Sequence, residues 1–471
     1  MSLGTEENPL RVAIVGSGPA GFYAAGQLLG KKAQHVADVD VFDRLPTPWG
    51  LVRAGVAPDH PNIKAVSRMY EKTAGHERFR FFGNVEIGRD LTSAELRRHY
   101  HAVIYAIGAQ SDRRMGIPGE DLPGSWAATD FVAWYNAHPD HHHLEFDLGS
   151  SERAVVIGNG NVAIDCARML ALTHDELAAT DVADHALEAL RDSGVREIVI
   201  LGRRGPVQAA FTNPELLELG EMVDADVLVD PGDIALDPVS QAFLEDVADI
   251  THRKNVEILS KYAQREPSEK GRRIVLRFLR SPVEIVGDER VEGIVVERNE
   301  LVSDDDGNLR ARPTGERETI ECGLVLRSIG YRGVELPGVP FDERRAVIPN
   351  DGGRVIDPES GEPRSGEYVT GWIKRGPSGV IGTNKKDAAE TVAMLVADLG
   401  AGALPAPEVA DLEAIDELLR ERGVDPVTQA GWEAIDRHER ETGEPHGRPR
   451  VKLAHLEKLL DRARGGAGVS S

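Results

Sequence analysis

The sequence predicts an α/β fold with two Rossmann-like dinucleotide-binding domains, the second inserted into the first. A short apolar strand, a glycine turn and an apolar helix follow one another at residues 11–29, and the same order returns at 153–170. In each copy a second apolar strand follows, at 39–42 in the first and at 197–201 in the second. A glycine turn between strand and helix in a βαβ unit is typical of dinucleotide binding.

The first glycine turn contains Gly16, Gly18 and Gly21 in the spacing G-x-G-x-x-G. The first glycine permits the tight bend, the second lets a diphosphate approach the backbone, and the third lets the helix pack close to the strand. Asp43 ends the next strand, 22 residues after Gly21, which is near the spacing expected for an acid that binds a ribose 2′-hydroxyl. The sequence therefore predicts a first site for a nucleotide without a 2′-phosphate, as in FAD.

The second glycine turn contains Gly158, Gly160 and Ala163, and its second strand ends in Arg203 and Arg204 instead of an acid. Two guanidinium groups attract a 2′-phosphate and form several charge-assisted hydrogen bonds with it. We therefore expect NADP(H) rather than NAD(H) in the second site. The alternative interpretation is a solvated strand end with no ligand, and the long insert between 170 and 197 leaves it open.

The chain of 471 residues is too long for a single typical core, so we expect two domains. We assign residues 1–111 to the first part of an FAD-binding domain and 112–330 to an NADP-binding domain. Residues 331–471 are the second part of the FAD-binding domain with a C-terminal helical extension that caps the surface. The apolar strand at 324–329 is interpreted as the return to the first domain.

Several shorter patterns predict local structure. Thr92 with Glu95 is a capping box for a short helix, and a glycine-dense loop at 371–382 precedes a helix at 385–399. Residues 304–308 predict a hairpin turn. Residues 79–82 and 85–87 predict two short strands joined by a turn at 83–84. Alternating apolar and polar residues predict antiparallel strands at 256–260, 273–279, 282–286 and 291–297.

Composition excludes several classes of protein. The net charge of −23 argues against general nucleic-acid binding, and no apolar run is long enough to span a bilayer. The two cysteines, Cys166 and Cys322, cannot form a C-x-x-C pair or hold an iron–sulfur cluster. Four histidines at 138–143 fit a solvated loop better than a metal site, so no metal is expected. The polar N-terminus resembles neither a secretory signal nor a transit peptide, which favours a cytoplasmic protein or a processed form.

The chain resembles the ferredoxin–NADP⁺ reductases of the adrenodoxin-reductase type, including their bacterial members. The resemblance extends from residue 11 to the C-terminal region and rests on a specific ordered set of motifs. Besides the first glycine turn, these are PWGLVR at 48–53, GVAPDHP at 55–61, GNV at 83–85, GNVA at 160–163, GRRGP at 202–206, TGW at 370–372 and GVIG at 379–382.

The resemblance implies the contacts of two cofactors. FAD would be contacted by Ala20, Asp43, Leu51, Ile87, Trp372, Gly379, Val380 and Ile381. NADPH would be contacted by Asn159, Gly160, Asn161, Val162, Arg203, Arg204 and Glu215. His60 and Glu218 would lie near the flavin and the nicotinamide, with roles in proton handling and positioning. The acid that binds the FAD ribose is often Glu in this family, whereas here it is Asp43, which is one methylene shorter.

The resemblance implies an enzyme that passes hydride from NADPH to FAD and single electrons to a ferredoxin-type iron–sulfur protein. Ferredoxins are usually acidic, so a basic docking patch is expected, either at Arg253, Lys254 and Lys261 or on the C-terminal helix. Two alternatives remain: an NADPH-dependent flavin oxidase or diaphorase with another acceptor, and a non-catalytic NADPH-binding redox sensor. The missing C-x-x-C pair and the missing N-terminal cysteine cluster count against a disulfide reductase and a glutamate-synthase-like subunit.

Overall fold

The computed structural model describes residues 2–304, 309–409 and 411–466. The hairpin turn predicted at 304–308 therefore falls, apart from its first residue, outside the described residues. None of the described helices is long and apolar enough to cross a membrane.

The strands of the described residues are β1 Leu10–Val15, β2 Ala37–Phe42, β3 Phe79–Phe82, β4 Ala102–Tyr105, β5 Ser111–Asp112, β6 Ser125–Ala127, β7 Arg153–Ile157, β8 Glu197–Leu201, β9 Ala225–Val229, β10 Arg272–Arg277, β11 Arg280–Val286, β12 Gly293–Ser303, β13 Leu309–Glu321, β14 Leu324–Arg327, β15 Tyr331–Arg332, β16 Asn350–Asp351, β17 Arg354–Ile356 and β18 Pro363–Val369.

The α-helices are α1 Pro19–Leu28, α2 Leu51–Ala54, α3 Pro61–Lys64, α4 Ser67–Ala74, α5 Ser93–His99, α6 Ala128–Tyr135, α7 Asn161–Ala171, α8 His174–Ala178, α9 Asp184–Arg191, α10 Asn213–Leu219, α11 Pro238–Asp246, α12 Ile250–Tyr262, α13 Trp372–Arg375, α14 Thr383–Gly400, α15 Ala414–Glu421, α16 Gln429–Gly443 and α17 Leu456–Gly466. Short 3₁₀ helices lie at Pro206–Gln208 and Glu444–His446.

The first sheet has the strand order β16-β17-β18-β4-β1-β2-β3 in the described residues. Strands β18, β4, β1, β2 and β3 are parallel neighbours, whereas β16 and β17 pair antiparallel at the edge. All six residues of β1 are buried, as expected for a central strand covered by helices on both faces. The glycine turn after β1 therefore lies at the carboxyl edge of the sheet, where α/β proteins bind ligands.

The second sheet has the order β6-β14-β7-β8-β10-β9, and its strands are parallel. It corrects two predictions. The strand predicted at 273–279 is the parallel strand β10, not an antiparallel one. The strand predicted at 324–329 is β14, which pairs with β7 and β6 of the second sheet, so its assignment as a return to the first domain is wrong.

The antiparallel strands predicted at 282–286 and 291–297 are confirmed as β11 and β12, which form a small sheet with β13. The strand predicted at 256–260 is wrong, because these residues lie in α12. The Asp249 carboxylate caps this helix by accepting hydrogen bonds from the backbone of Thr251 and His252. Residues 85–87 are also not a strand, although Ile87 forms an isolated bridge with Leu91.

The C-terminal helices are more than a surface cap. In α16, Trp432 and Ile435 belong to the core of the first domain, and the Glu439 carboxylate is fully buried. Glu439 accepts a bidentate hydrogen bond from Arg53, at 2.6 and 2.8 Å. Beyond α16, the Lys452 ammonium donates to the backbone carbonyl of Arg53 and to Asn136. The C-terminal segment is thus an integral part of the fold.

The predicted capping box is confirmed, and it generates a test of stability. Thr92 Oγ1 accepts from the Glu95 amide at 3.2 Å, and the Glu95 carboxylate accepts from the Thr92 amide at 2.8 Å and from Arg422 at 3.1 Å. The hydrogen bond from Arg422 and the cap together lower the pKa of Glu95 to about 2.

We expect Glu95→Gln to lower the urea midpoint of unfolding at pH 7. A carboxylate with a depressed pKa stabilises the folded state fully above its unfolded-state pKa of about 4.3 and loses this contribution as the pH falls towards 2. The difference in midpoint between wild type and Glu95→Gln should therefore narrow between about pH 5 and pH 2. A difference that stays constant over this interval contradicts the ionic role of Glu95.

Candidate active site

In the first glycine turn, an added Cβ would clash with the backbone at two glycines and would face open space at the third. A Cβ on Gly16, whose φ is +106°, would lie 2.5 Å from the Ala106 carbonyl oxygen. A Cβ on Gly21 would lie 2.1 Å from the Gly16 carbonyl oxygen, whereas a Cβ on Gly18 would meet nothing within 4 Å. Packing therefore does not explain Gly18, and the space beside it at the start of α1 fits a diphosphate.

Asp43 lies beside this turn at the carboxyl end of β2. Its carboxylate accepts hydrogen bonds from the Ser17 amide and the Leu45 amide, each at 2.9 Å, and from the Ser17 hydroxyl at 2.5 Å. These bonds hold the side chain in one orientation at the predicted ribose position. A carboxylate has about four acceptor positions, so one remains for a ligand hydroxyl.

The PWG loop lies directly over the glycine turn. The Trp49 amide donates to the Ser17 carbonyl at 2.9 Å, and a Cβ on Gly50 would be 3.0 Å from the Gly18 Cα. Trp49 has a φ of +82°, which is strained for an aromatic residue. Leu51 is the first residue of α2, directly after this loop. Strain of this kind is often stored where a backbone is shaped around a ligand.

The loop after β18 brings unpaired polar groups to the same edge of the first sheet. Arg375 Nη2 donates to Asn384 at 2.9 Å, but its buried Nε and Nη1 have no hydrogen-bond partner within the described ranges, and neither has Trp372 Nε1. A Cβ on Gly371 would lie 2.6 Å from the Ala20 Cβ, which places this loop beside the start of α1. Buried guanidinium nitrogens that lack an acceptor are costly. The residues present therefore fit FAD, which offers a diphosphate and an electron-rich ring edge.

The remaining residues predicted for FAD lie around this space. Ile87 is buried in the core cluster that contains the end of β1. The segment 379–381 precedes α14, and in it Val380 is exposed while Ile381 is partly buried. The structure thus places these residues at the carboxyl edge of the first sheet or in the loops beside it.

The second glycine turn repeats this arrangement. A Cβ on Gly158, whose φ is +124°, would lie 2.1 Å from the Ser328 carbonyl oxygen, whereas a Cβ on Gly160 would meet nothing within 4 Å. The loop before α10 is held against this turn, because Asn161 Oδ1 accepts from the Thr212 amide at 2.8 Å. Val162, the next residue, is partly buried against the core. The open side of Gly160 therefore faces a second candidate diphosphate position.

Arg203 and Arg204 follow β8 at the same edge. Arg203 is exposed and Arg204 is half-buried, and no ion pair with a carboxylate is seen for either among residues 2–304, 309–409 and 411–466. Burial and the neighbouring charge of Arg203 lower the pKa of Arg204. Two adjacent guanidinium groups without a counter-charge are a favourable site for a phosphate.

His60 and Glu218 meet between the two sheets. His60 caps α3 in the first domain, and its Nε2 lies 2.7 Å from Glu218 Oε2 and 3.7 Å from Glu215 Oε2. Both carboxylates come from α10, where a spacing of three residues puts them on the same face. His60 is 8% exposed, whereas the Glu218 side chain is 45% exposed, so the pair lies where the buried contact between the domains meets solvent.

Arg168 and Asp165 were missed by sequence reasoning. Arg168 Nε and Nη2 lie 2.5 and 3.1 Å from the Asp59 carboxylate, and Nη2 also lies 2.8 Å from Asp165 and 3.5 Å from His60 Nδ1. The signal was present, because these are charged residues three apart in α7, which otherwise buries apolar side chains. Three groups here, those of His60, Glu215 and Glu218, also have ligand atoms within 4.8 Å of one another, as a metal site requires. Arg168 Nη1, at 3.4 Å from Glu215, already supplies positive charge there.

Comparison with known proteins agrees with this geometry. The chain is 55% identical to the NADPH-ferredoxin reductase FprA of Mycobacterium tuberculosis, across 96% of this chain and 98% of that protein. It belongs to the ferredoxin–NADP⁺ reductase family of the adrenodoxin-reductase type. The mitochondrial NADPH:adrenodoxin oxidoreductase of Arabidopsis thaliana is 44% identical across 97% of this chain and 95% of that protein.

Comparison with solved structures and with a family model supports the same family assignment. The crystal structure of M. tuberculosis FprA in complex with NADPH matches with a TM-score of 0.91 and 53% identity, covering 97% of this chain and 100% of that chain. The model of the pyridine nucleotide-disulphide oxidoreductases matches residues 10–201. The expected fold of two dinucleotide-binding domains is thus confirmed.

Substitution should have different effects at glycines that face open space and at glycines that pack against the backbone. We expect Gly18→Ala to fold with a thermal midpoint near that of wild type and to bind FAD at least about tenfold more weakly, because its methyl group enters the ligand space. Gly16→Ala should lower the thermal midpoint strongly, because its methyl group meets backbone. Gly160→Ala is the matched control: it should keep FAD and lose affinity for NADPH. Affinities are measured by fluorescence titration, and wild-type FAD affinity in Gly18→Ala contradicts the assignment.

Proposed function

We propose that this protein is an FAD-containing reductase that takes hydride from NADPH and delivers single electrons to a ferredoxin-type iron–sulfur protein. The observation that carries the proposal is that two nucleotide-binding edges of opposite charge preference meet at one histidine–carboxylate pair. Asp43 stands at the first edge, Arg203 and Arg204 at the second, and His60 with Glu218 lies between them. The relatives described above are named as reductases that use NADPH and ferredoxin or adrenodoxin.

FAD belongs to the first domain in this proposal, which comprises residues 1–111 and 331–471. The start of α1 at Ala20 and the open side of Gly18 bind its diphosphate, and Asp43 binds the adenosine ribose. Leu51, Ile87, Trp372 and the segment 379–381 surround the flavin. When bound, FAD supplies the chemistry that converts a two-electron hydride donor into a one-electron donor.

NADPH belongs to the second domain, residues 112–330. Arg203 and Arg204 would bind the 2′-phosphate, and the segment 159–162 at the start of α7 would bind the diphosphate. Glu215 precedes Glu218 by three residues on α10, and in this proposal it orients the nicotinamide end of NADPH. Hydride transfer needs the two rings at near-contact distance, and these anchors supply that orientation.

His60 and Glu218 hold a proton in this proposal. The distance of 2.7 Å between His60 Nε2 and Glu218 Oε2 allows one proton to be shared between them. Because His60 comes from the first domain and Glu218 from the second, the bond also joins the two domains. We therefore assign the pair to proton handling and to positioning.

The protein partner would be an acidic ferredoxin, and we propose a cytoplasmic location for the reaction. Arg253, Lys254 and Lys261 on α12 are exposed, as a docking patch requires. The basic helix α17, with Lys458 and Arg462, is the other candidate surface. Opposite charge between the partners would accelerate their encounter.

The partner is tested by NADPH-driven reduction of a purified acidic ferredoxin without oxygen, compared with reduction of a small dye. We expect both acceptors to be reduced. Replacing Arg253, Lys254 and Lys261 by Gln should lower kcat/KM for ferredoxin by about tenfold or more and leave dye reduction unchanged. Lys458→Gln with Arg462→Gln is the matched control on the other candidate surface, and a loss only there would move the docking site to α17.

Two outcomes contradict the proposal itself. Reduction of the dye without reduction of ferredoxin would make the protein an NADPH oxidase or diaphorase. Failure to bleach the flavin with NADPH would leave a redox sensor.

A further inference from the structure

A cluster of charged side chains joins the two domains beneath the His60–Glu218 pair. Asp59 and His60 come from the first domain, whereas Asp165 and Arg168 of α7 and Glu215 of α10 come from the second. Arg168 is 3% exposed and contacts all four of the other residues. Arg168 therefore lies at the centre of the cluster.

The cluster has an excess of negative charge. With the neighbouring Glu218 included, four carboxylates (Asp59, Asp165, Glu215 and Glu218) oppose one permanent cation, Arg168, and the histidine. Burial, together with the charge of Asp59, raises the pKa of Asp165. Burial and the charge of Asp165 raise the pKa of Glu215. These carboxylates therefore tolerate their positions only because a guanidinium stands among them.

Arg168 also contacts the loop that carries His60. Its bidentate contact is with Asp59, the residue immediately before His60 in the chain, and its Nη2 lies 3.5 Å from His60 Nδ1. The opposite ring nitrogen, Nε2, faces Glu218 at 2.7 Å. A planar guanidinium fixes two directions at once, which an ammonium group cannot do.

We propose that Arg168 is a positioning residue, which ties the Asp59–His60 loop of the first domain to α7 of the second and thereby aims His60 at Glu218. The expected effect on the reaction rate rests on the proposed function, whereas the contact between the two domains does not depend on it. Arg168 acts through Asp59 and His60 and has no contact of its own with the reacting atoms.

Substitutions separate the geometry of Arg168 from its charge. Arg168→Lys keeps the positive charge and loses the bidentate contact, so flavin reduction by NADPH should slow by about tenfold or more, while the KM for NADPH stays near that of wild type. Arg168→Gln also removes the charge and should slow flavin reduction at least as much, again with little change in the KM for NADPH.

Asp59→Asn tests the same contact from the other domain. We expect it to slow flavin reduction as much as Arg168→Lys, and the double variant to be no slower than either single variant. Arg354→Lys is the matched control, because Arg354 makes a bidentate contact with Asp398, at 2.8 Å for both bonds, entirely within the first domain. This control should lower the thermal midpoint without changing the rate or the KM for NADPH.

Hydrogen–deuterium exchange tests the contact between Arg168 and Asp59 independently of catalysis. In Arg168→Lys and Asp59→Asn, amides at 56–64 and in α7 should exchange faster, and amides of β1 should not. Unchanged exchange overturns the proposal, whether or not the enzyme reduces flavin. Faster exchange with an unchanged rate of flavin reduction overturns the role of Arg168 in orienting His60. A wild-type protein whose flavin is not bleached by NADPH overturns the proposed function and that role with it, while the exchange result still decides the tie.

Discussion

The contact between Arg168 and Asp59 crosses from one nucleotide-binding domain to the other, and the geometry of the active site depends on it. Each parallel sheet binds its ligand at a carboxyl edge, so a reaction between two ligands requires both edges to face one another. A buried guanidinium is costly unless carboxylates pair with it, so removal of Asp59 would leave Arg168 with fewer partners. In the inference drawn above, His60 and Glu218 meet because this contact holds the Asp59–His60 loop against α7.

The sequence predicted those parts of the fold whose causes are local. The glycine turns, the capping box at Thr92 and the alternating strands β11 and β12 each depend on residues within a few positions. The strand predicted at 256–260 is wrong because a partly apolar run of five residues is compatible with either a strand or a buried helix. The helix cap at Asp249 is the local signal that distinguishes the two. The partners of β10 and β14 lie far away in sequence, so no local pattern could show which sheet they join.

The candidate site divides in the same way. The roles of Gly18 and Gly160, and the contrast of Asp43 with Arg203 and Arg204, follow from motif spacing. His60 and Glu218 are 158 positions apart and came from family resemblance alone. Arg168 and Arg375 were missed because their significance lies in tertiary burial, which composition and periodicity do not report. A charged pair in an apolar helix, as in α7, is the one signal that could have indicated Arg168.

The central claim is that the two edges hold different nucleotides, and an anaerobic titration of the visible flavin bands tests it most directly. The account predicts an oxidised-flavin spectrum that low concentrations of NADPH bleach, whereas NADH requires on the order of a hundredfold more. Replacing Arg203 and Arg204 together by Gln should abolish this preference. Equal bleaching of the wild type by both nucleotides would contradict the role of the two arginines, and absence of a flavin spectrum after FAD is supplied would contradict the whole account.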